Sequence, residues 1–423
     1  MPTVLIVDGY SSGRFLAPAF RRQGIQVVHI HSIGAPPKAN YINTFYPQNF
    51  DLDLKGAPES LATIPLLRGL NLIAVLPGAD SGVLYADFLG AHLKPHLPNL
   101  PINGIEPARK DKFLMAEALK QRGIDVILQE RVRNVEAALE WIQANKLFQS
   151  PSGLVVIKPL KSASGEGVSF CRTEKDVRDA FDKLLNHRDE FGQMNSSLLV
   201  QEFLPGDEYV VNTTSRDGFH VVTDIWKYHK PFAPDVTNLV YSLDTLLPSD
   251  GDEQNLLLSY NLRILSGLGI KNGNSHNEIK IVPGRGPVLV ESNNRMMGSG
   301  LPELVELATG HSQIDRTVLA FTAPEEFLKL PPRYRLQKHA AVVTFSNFET
   351  SGQLDPIAAE KLRAIPGYVK HSFNVEPGQA LPVTRDLNSA LGDVWIITNT
   401  AVELQNSIRL VRELESSGAF RIP

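Results

Sequence analysis

The sequence predicts a mixed α/β and α+β protein of three parts: a parallel α/β domain, a middle region of strands and glycine turns, and a closing α+β lobe. Three observations carry this reading. The first is a strand–helix–strand alternation at the start, the pattern of a parallel sheet with crossover helices. The second is a switch, between Val155 and Phe219, to β-branched runs joined by short glycine turns. The third is a return to strand and helix after Pro331. A chain of 423 residues accommodates about three domains of ordinary size.

Taken in order, Thr3 to Val7 is a β-rich run that leads into a turn holding Asp8, Gly9, Ser12 and Gly13. Phe15 to Gln23 reads as a helix stopped by Gly24, and Gln26 to Ile30 as the next strand. Leu72 to Leu76 forms a further strand that runs into Pro77-Gly78-Ala79-Asp80 and a helix. Residues 1–105 therefore make a doubly wound, Rossmann-like domain, with a junction at Asn103 to Pro107. A helix over Asp111 to Arg122, closed by Gly123, opens the region 106–330. Within it Glu174 to Leu185 and Glu253 to Leu268 are helical, and strands fall at His276 to Val282 and Pro287 to Glu291. The lobe 331–423 holds strands near Ala340 to Phe345 and Val394 to Thr398, then a last helix, Val402 to Ser416. No internal repeat or low-complexity segment is visible.

Composition excludes several classes. At 43% hydrophobic and 21% charged residues the chain is an ordinary globular protein with ample core. The single cysteine, Cys171, allows no internal disulfide and packs in a sheet. A net charge of -4 argues against a nucleic-acid binder, which needs a basic face for phosphates. No apolar run reaches the ~20 residues that span a bilayer. The opening MPTVLIVDGY lacks a basic leader and reads as a strand, so a cytoplasmic location is expected.

Three motifs carry chemistry. Val155-Val156-Ile157-Lys158-Pro159 is a β-branched run that ends in a lysine, and Leu160 to Val168 follows as a small-residue loop. Such a loop turns backbone N–H groups inward to cradle phosphates while the lysine adds a point charge. It is neither a Walker A nor a GxGxxG sequence; a hairpin turn with a surface lysine is the plain alternative. Leu198 to Val211 places two apolar strands around Glu202, Leu204, Pro205-Gly206-Asp207 and Glu208. A strand-end backbone there can bond an adenine edge, and a carboxylate after the turn can accept from ribose; solvated hairpin acids are the alternative. Last, His276-Asn277-Glu278-Ile279-Lys280 precedes Val288-Leu289-Val290-Glu291-Ser292-Asn293-Asn294-Arg295. Residues two apart in a strand share a face, so Glu278 projects with His276, and Glu291, Asn293 and Arg295 project together. Two carboxylates and an amide oxygen suit Mg²⁺, a hard cation that completes its octahedron with phosphate oxygens and water.

In this order, a lysine-led glycine loop, an E-x-x-x-G-x-E hairpin and a strand pair ending in E-x-N-x-R resemble the ATP-grasp superfamily, over roughly Asn103 to Gly310. The resemblance implies an ATP-grasp fold: a pre-ATP-grasp domain, a nucleotide-binding region with a lid at about 140–204, and a C-terminal lobe. It implies ATP and Mg²⁺ as cofactors, with Mn²⁺ as a substitute. Lys112 resembles the first phosphate-contacting lysine and Lys158 the second, with Ser162, Ser164, Gly165 and Gly167 in the loop over the phosphates. Here the loop reads Ser-Ala-Ser-Gly-Glu-Gly where many relatives have glycine before serine. Glu202 and Leu204 resemble the adenine hinge and Glu208 the ribose ligand. Glu278, Glu291 and Asn293 match metal ligands, and Arg295 the residue that steadies the reacting carboxylate or tetrahedral intermediate. Arg295 and Lys158 are the expected catalytic groups.

Within the superfamily, Val7-Asp8-Gly9-Tyr10-Ser11-Ser12-Gly13, the Glu-Ser-Asn-Asn-Arg box and Leu381-Pro382-Val383-Thr384-Arg385-Asp386 are similar to bacterial L-amino acid ligases. The implied reaction joins a carboxylate to an amine through an acyl phosphate. The partners are then small molecules, with neither nucleic acid nor membrane, and a homodimer is in keeping with such folds. Alternatives are an ATP-grasp carboxylase or ligase of another acid, and a catalytically silent ATP-binding regulator. An NAD-dependent oxidoreductase lacks its fingerprint, since Gly9 and Gly13 do not form it. Lys227 is expected to be structural despite its position near the phosphates. His29 and His31 are expected to face solvent, Met296, Met297 and Gly298 to line the substrate pocket, and His276 to be either a base or a structural hydrogen-bonding group.

Overall fold

Four parallel strands open the chain. The computed structural model describes residues 1–32, 43–56, 61–160, 167–188, 194–232, 239–387 and 389–422. In it β1 (Pro2–Val7), β2 (Gln26–His31), β3 (Leu52–Lys55) and β4 (Asn71–Pro77) form a sheet ordered β3-β2-β1-β4. Every pairing in it is parallel. Alternation along β1 supplies two cores: Val4 and Ile6 pack with Leu16 and Phe20 on one face, Leu5 and Val7 with Tyr85, Leu89 and Leu93 on the other. Beyond the strand ends, the turn after β1 and the turn after β4 touch. A Cβ on Gly13 would lie 2.3 Å from the Gly78 carbonyl oxygen, so only glycine permits this approach.

His29 departs from expectation, for it is fully buried. It lies on β2, an inner strand, under Phe45 and Phe50. Its Nε2 accepts the Gly9 N–H at 3.0 Å and its Nδ1 donates to Asp53 at 2.7 Å. His31 is partly buried, between Tyr10 at 2.5 Å and Asp53 at 3.3 Å. Both imidazoles are engaged in this internal network instead of facing water.

A second sheet is antiparallel, with β5 (Gln129–Val132), β6 (Val155–Pro159), β7 (Ser169–Cys171) and β8 (Leu198–Glu202) ordered β5-β8-β6-β7. Val155, Ile157, Cys171, Leu198 and Val200 pack against the helices Val135–Ala144 and Glu174–Leu184. By alternation Val156 and Lys158 project to the opposite face.

The largest sheet has eight strands. β9 (Asp207–Arg216), β10 (Phe219–His229), β11 (Leu243–Leu246), β12 (Gly273–Val282) and β13 (Gly286–Asn293) belong to it. So do β14 (His339–Phe345), β16 (Tyr368–Phe373) and β17 (Gly392–Thr398); β15 (Gln353–Leu354) and β18 (Arg421–Ile422) form a separate ribbon. The order is β13-β12-β9-β10-β11-β14-β17-β16. Because β14 pairs with β11 (Thr245↔Ala341), the strands β14, β17 and β16 extend the sheet of the middle region. The helix Asp252–Gly267 covers the middle strands and Ala401–Ser416 the last ones. Among the described residues no helix is long and apolar enough to cross a membrane.

Candidate active site

A cleft of about 1090 Å³ is lined by residues of both antiparallel sheets. Val156, Lys158, Phe170 and Gln201 reach it from the smaller sheet, and Glu208, Glu278, Lys280, Val290 and Glu291 from the larger. Ile127, Val156, Val168, Phe170, Phe203 and Leu204 give it an apolar wall suited to a flat heteroaromatic ring. At the crossing between the sheets, the Glu202 carboxylate is already occupied. It accepts the Leu128 N–H at 2.7 Å and a guanidinium N–H of Arg285 at 2.8 Å. The Leu204 carbonyl accepts from Lys280 at 3.1 Å.

Charge concentrates across β13, β12, β9 and the end of β10. Glu278 stands directly opposite Glu291, and His276 opposite Asn293, with a bulge just after Glu278. Burial works to raise the Glu278 carboxyl, but Lys230, His276 and Arg295 outweigh it and hold the group well below the usual carboxylate range. Lys112 is 2.9 Å from Glu291. It occupies the first turn of the helix Lys112–Lys120, whose start is capped by Asp111 accepting the N–H groups of Phe113 and Leu114. His276 is held by Asn212 at 2.9 Å and lies 3.5 Å from Glu278. Lys158 is only 6% exposed and makes no hydrogen bond or ion pair with a described residue. Burial and the neighbouring Lys112 push its ammonium down to about 8. An ammonium placed this way is suited to an anionic ligand.

Of the residues singled out from sequence, Lys112, Lys158, Glu202, Leu204, Glu208, Glu278 and Glu291 meet on this one cleft. Asn293 is buried beside it on β13, and Gly167, with φ +70°, packs on Pro159. Ser162, Ser164 and Gly165 lie outside the described residues. Arg295 falls beyond the end of β13, so strand alternation does not position it. Asp80 does, accepting from Nε at 3.2 Å and from Nη2 at 2.8 Å, while Lys110 lies 3.3 Å from the other Asp80 oxygen. Met296 and Met297 do not line the cleft: both are buried in hydrophobic cores, with Asn212 turned toward the Met297 sulfur at 3.1 Å. Lys227 is half-exposed and pairs with Asp207 at 2.6 Å, in keeping with a structural lysine.

Sequence reasoning missed Lys230, which forms a buried ion pair with Glu208 and lies 4.2 Å over the Tyr241 ring. Burial opposes its charge, yet Glu208 raises its pKa well above the ordinary lysine value. A signal existed: Lys227 and Lys230 are three apart, so in an extended chain only one of them can face the cleft. Asp80 was also legible. Pro77-Gly78-Ala79-Asp80 follows a parallel strand, where open α/β sheets carry their functional groups.

The donor set fits a divalent hard cation. Glu278 and Glu291 face each other as carboxylates, Asn293 adds an amide oxygen across from His276, and no cysteine lines the cleft.

Residues 152–303 match the family model described as the ATP-grasp domain. Over 416 residues the chain is 28% identical to dapdiamide A synthase of Enterobacter agglomerans, covering 98% of this chain and 96% of that one. It is 23% identical over 342 residues to an alanine–anticapsin ligase of Bacillus subtilis, covering 75% and 67% of the two chains. In fold it is similar to an L-amino acid ligase from Bacillus licheniformis, with a TM-score of 0.70 at 16% identity over 98% and 97% of the two chains. An N5-carboxyaminoimidazole ribonucleotide synthetase from Thermotoga maritima gives 0.65 at 16% over 98% of each. Residues 152–303 thus form an ATP-grasp domain, within a fold shared along the chain with the L-amino acid ligase structure. More narrowly, the relatives matched over most of the chain are a synthase and a ligase.

Proposed function

We propose that this chain joins an amino acid, as the carboxylate partner, to a second amino acid or other small amine, with formation of an amide, ADP and phosphate. The observation that supports it most is the convergence of Lys112, Lys158, Glu278 and Glu291 on one cleft with an apolar wall. Similarity over 98% of the chain to dapdiamide A synthase, and over 75% of it to an alanine–anticapsin ligase, favours this acceptor class over a carboxylase.

In this reading adenine lies against Phe170, Phe203 and Leu204, with its edge on the backbone beside Glu202, and Glu208 receives the ribose hydroxyls. Lys112 and Lys158 hold the phosphate oxygens, Lys112 turning from Glu291 as they enter. Mg²⁺ held by Glu278, Glu291 and Asn293 supplies charge neutralisation on the triphosphate, and Mn²⁺ fits the same oxygen set. The substrate carboxylate attacks the γ-phosphorus in line, ADP leaves, and an acyl phosphate remains. The amine then attacks the acyl carbon, its excess proton departs, and phosphate is released as the amide forms. Arg295, steadied by Asp80, stabilises the oxyanion of that addition.

The test is phosphate release with ATP and Mg²⁺, screened over single and paired L-amino acids, with mass spectrometry of the products. Release that needs a pair, together with a condensation product lighter by one water, is expected. No release with any pair, despite measurable ATP binding, would overturn the reading. For the site, Glu291→Gln keeps shape and removes charge; turnover should fall by about a hundredfold or more with the fold intact. Normal turnover in that variant would remove Glu291 from the metal site.

A further inference from the structure

Among the described residues, five cationic side chains line the cleft: Lys112, Lys158, Lys230, Lys280 and Arg385. Three are spent on the protein itself. Lys112 pairs with Glu291, Lys230 with Glu208, and Lys280 donates to the Leu204 carbonyl. Lys158 and Arg385 make no hydrogen bond or ion pair with a described residue. Lys158 sits on the sheet that forms one wall, but Arg385 arrives from the far end of the chain, on the segment between β16 and β17. We propose that Arg385 is a ligand-binding residue that carries the C-terminal lobe into the reaction by gripping anionic oxygens, of either a nucleotide phosphate or the substrate carboxylate. This rests on the ligase reading above.

An exposed arginine without a partner is commonplace on a loose surface loop. This segment is tied at both ends of the arginine. On one side, the buried Thr384 donates its N–H to the Asn347 carbonyl at 2.7 Å, and its hydroxyl accepts the Asn347 N–H at 2.9 Å. The Asn347 side chain also donates to the Pro382 carbonyl at 2.9 Å. On the other side, the Ser389 hydroxyl accepts the N–H groups of Arg385 at 2.8 Å and Asp386 at 3.0 Å. The nearest carboxylate in sequence, Asp386, is taken by Ser389, whose N–H and hydroxyl lie 2.9 and 2.7 Å from its Oδ1. The nearest carboxylate is thus engaged locally, and Arg385 lines the cleft from a backbone tied on both sides.

A guanidinium presents a planar fork that matches a phosphate or carboxylate in two hydrogen bonds, which a lysine cannot reproduce. Where the cleft carries anionic Glu208, Glu278 and Glu291, a lobe that brings in one unspent arginine adds positive charge only where a ligand anion must be met.

The experiment uses full-length protein, wild type, Arg385→Ala and Arg385→Lys. The Kd of Mg·ADP and Mg·ATP is measured by calorimetry, the KM of ATP and of the carboxylate by ADP formation, and the Tm by scanning. Loss of one charge-assisted contact predicts a change of about tenfold or more, partly restored by lysine, with Tm unchanged because the side chain is exposed and unpaired. A weakened nucleotide Kd with a raised ATP KM assigns the phosphate; a raised carboxylate KM with unchanged nucleotide Kd assigns the carboxylate. If both constants and kcat of Arg385→Ala stay within about twofold of wild type, or if only Tm moves, the proposal is wrong. Failure of the ligase reading looks different: wild type itself then forms no ADP with any acid–amine pair.

Discussion

Lys158 is a residue placed against stability, as the phosphate-binding role proposed for it requires. Its 6% exposure and lack of a partner mean that the ligand-free protein holds a desolvated charge. Lys158→Met keeps the length and removes the charge. The ligand-free variant should melt at the same temperature as wild type or higher, while nucleotide affinity falls by about tenfold or more. A lower Tm together with unchanged affinity would mean that the lysine serves packing. His29 makes the opposite kind of case. Burial is the main cause that pushes its imidazole down to about 4, against the pull of Asp53. The folded state thus resists a proton that the unfolded chain accepts near pH 6.5. Stability is fully present above about pH 6.5 and is lost as pH falls toward 4, by about 3 kcal/mol in all. Urea titrations from pH 7 to 4 should show that slope, and His29→Gln, which cannot titrate there, should flatten it.

At the scale of elements, what matters is how strand ends meet. The turns after β1 and β4 approach so closely that Gly13 carries no room for a methyl group, and the atoms it would strike belong to the Gly78 backbone. Gly13→Ala should therefore cost about 1–3 kcal/mol in denaturant unfolding, since backbone and not a flexible side chain must give way. The elements themselves were largely legible. The strands near Val155, Leu198, His276 and Pro287 and the helices near Asp111, Glu174 and Glu253 stand within a few residues of the expected bounds, because alternation and caps are local signals. Cross-strand register was legible only in part. Alternation put Glu278 and Glu291 on functional faces, but the pairing that sets one opposite the other depends on the β12–β13 turn and bulge. For the same reason Lys230, just past the end of β10, escaped notice while Lys227 drew attention.

For the whole molecule, the decisive contacts cross between parts of the chain remote in sequence. Asp80, just after β4, holds Arg295, which follows β13. Burial opposes ionisation of Asp80, but Arg295 and Lys110 hold it well below the ordinary range, so the pair is charged at neutral pH. Asp80→Asn should lower kcat more than it changes the ATP KM, because the proposed mechanism sets Arg295 on the acyl group and not on adenine or ribose. It should also cost stability, since two cations lose a buried partner. Asp80→Glu should recover part of kcat. If the Asn variant changes only Tm, the contact is structural. The eight-stranded sheet carries the same lesson, as β14 and β17 extend a sheet begun by β9 and β10 and thereby bring Arg385 to the cleft.

By itself the sequence determined the mixed α/β and α+β fold class, the ATP-grasp resemblance and the main charged groups of the cleft, because each of these is written in short-range spacing and side-chain chemistry. It also implied a metal-binding box from two strands alone. Only the tertiary structure decided that His29 is buried, that Met296 and Met297 belong to cores, that Asp80 holds Arg295, and that Lys230 and Arg385 reach the site. Those facts depend on which remote segments pack together, and burial, pairing and pKa follow from that packing and not from spacing along the chain.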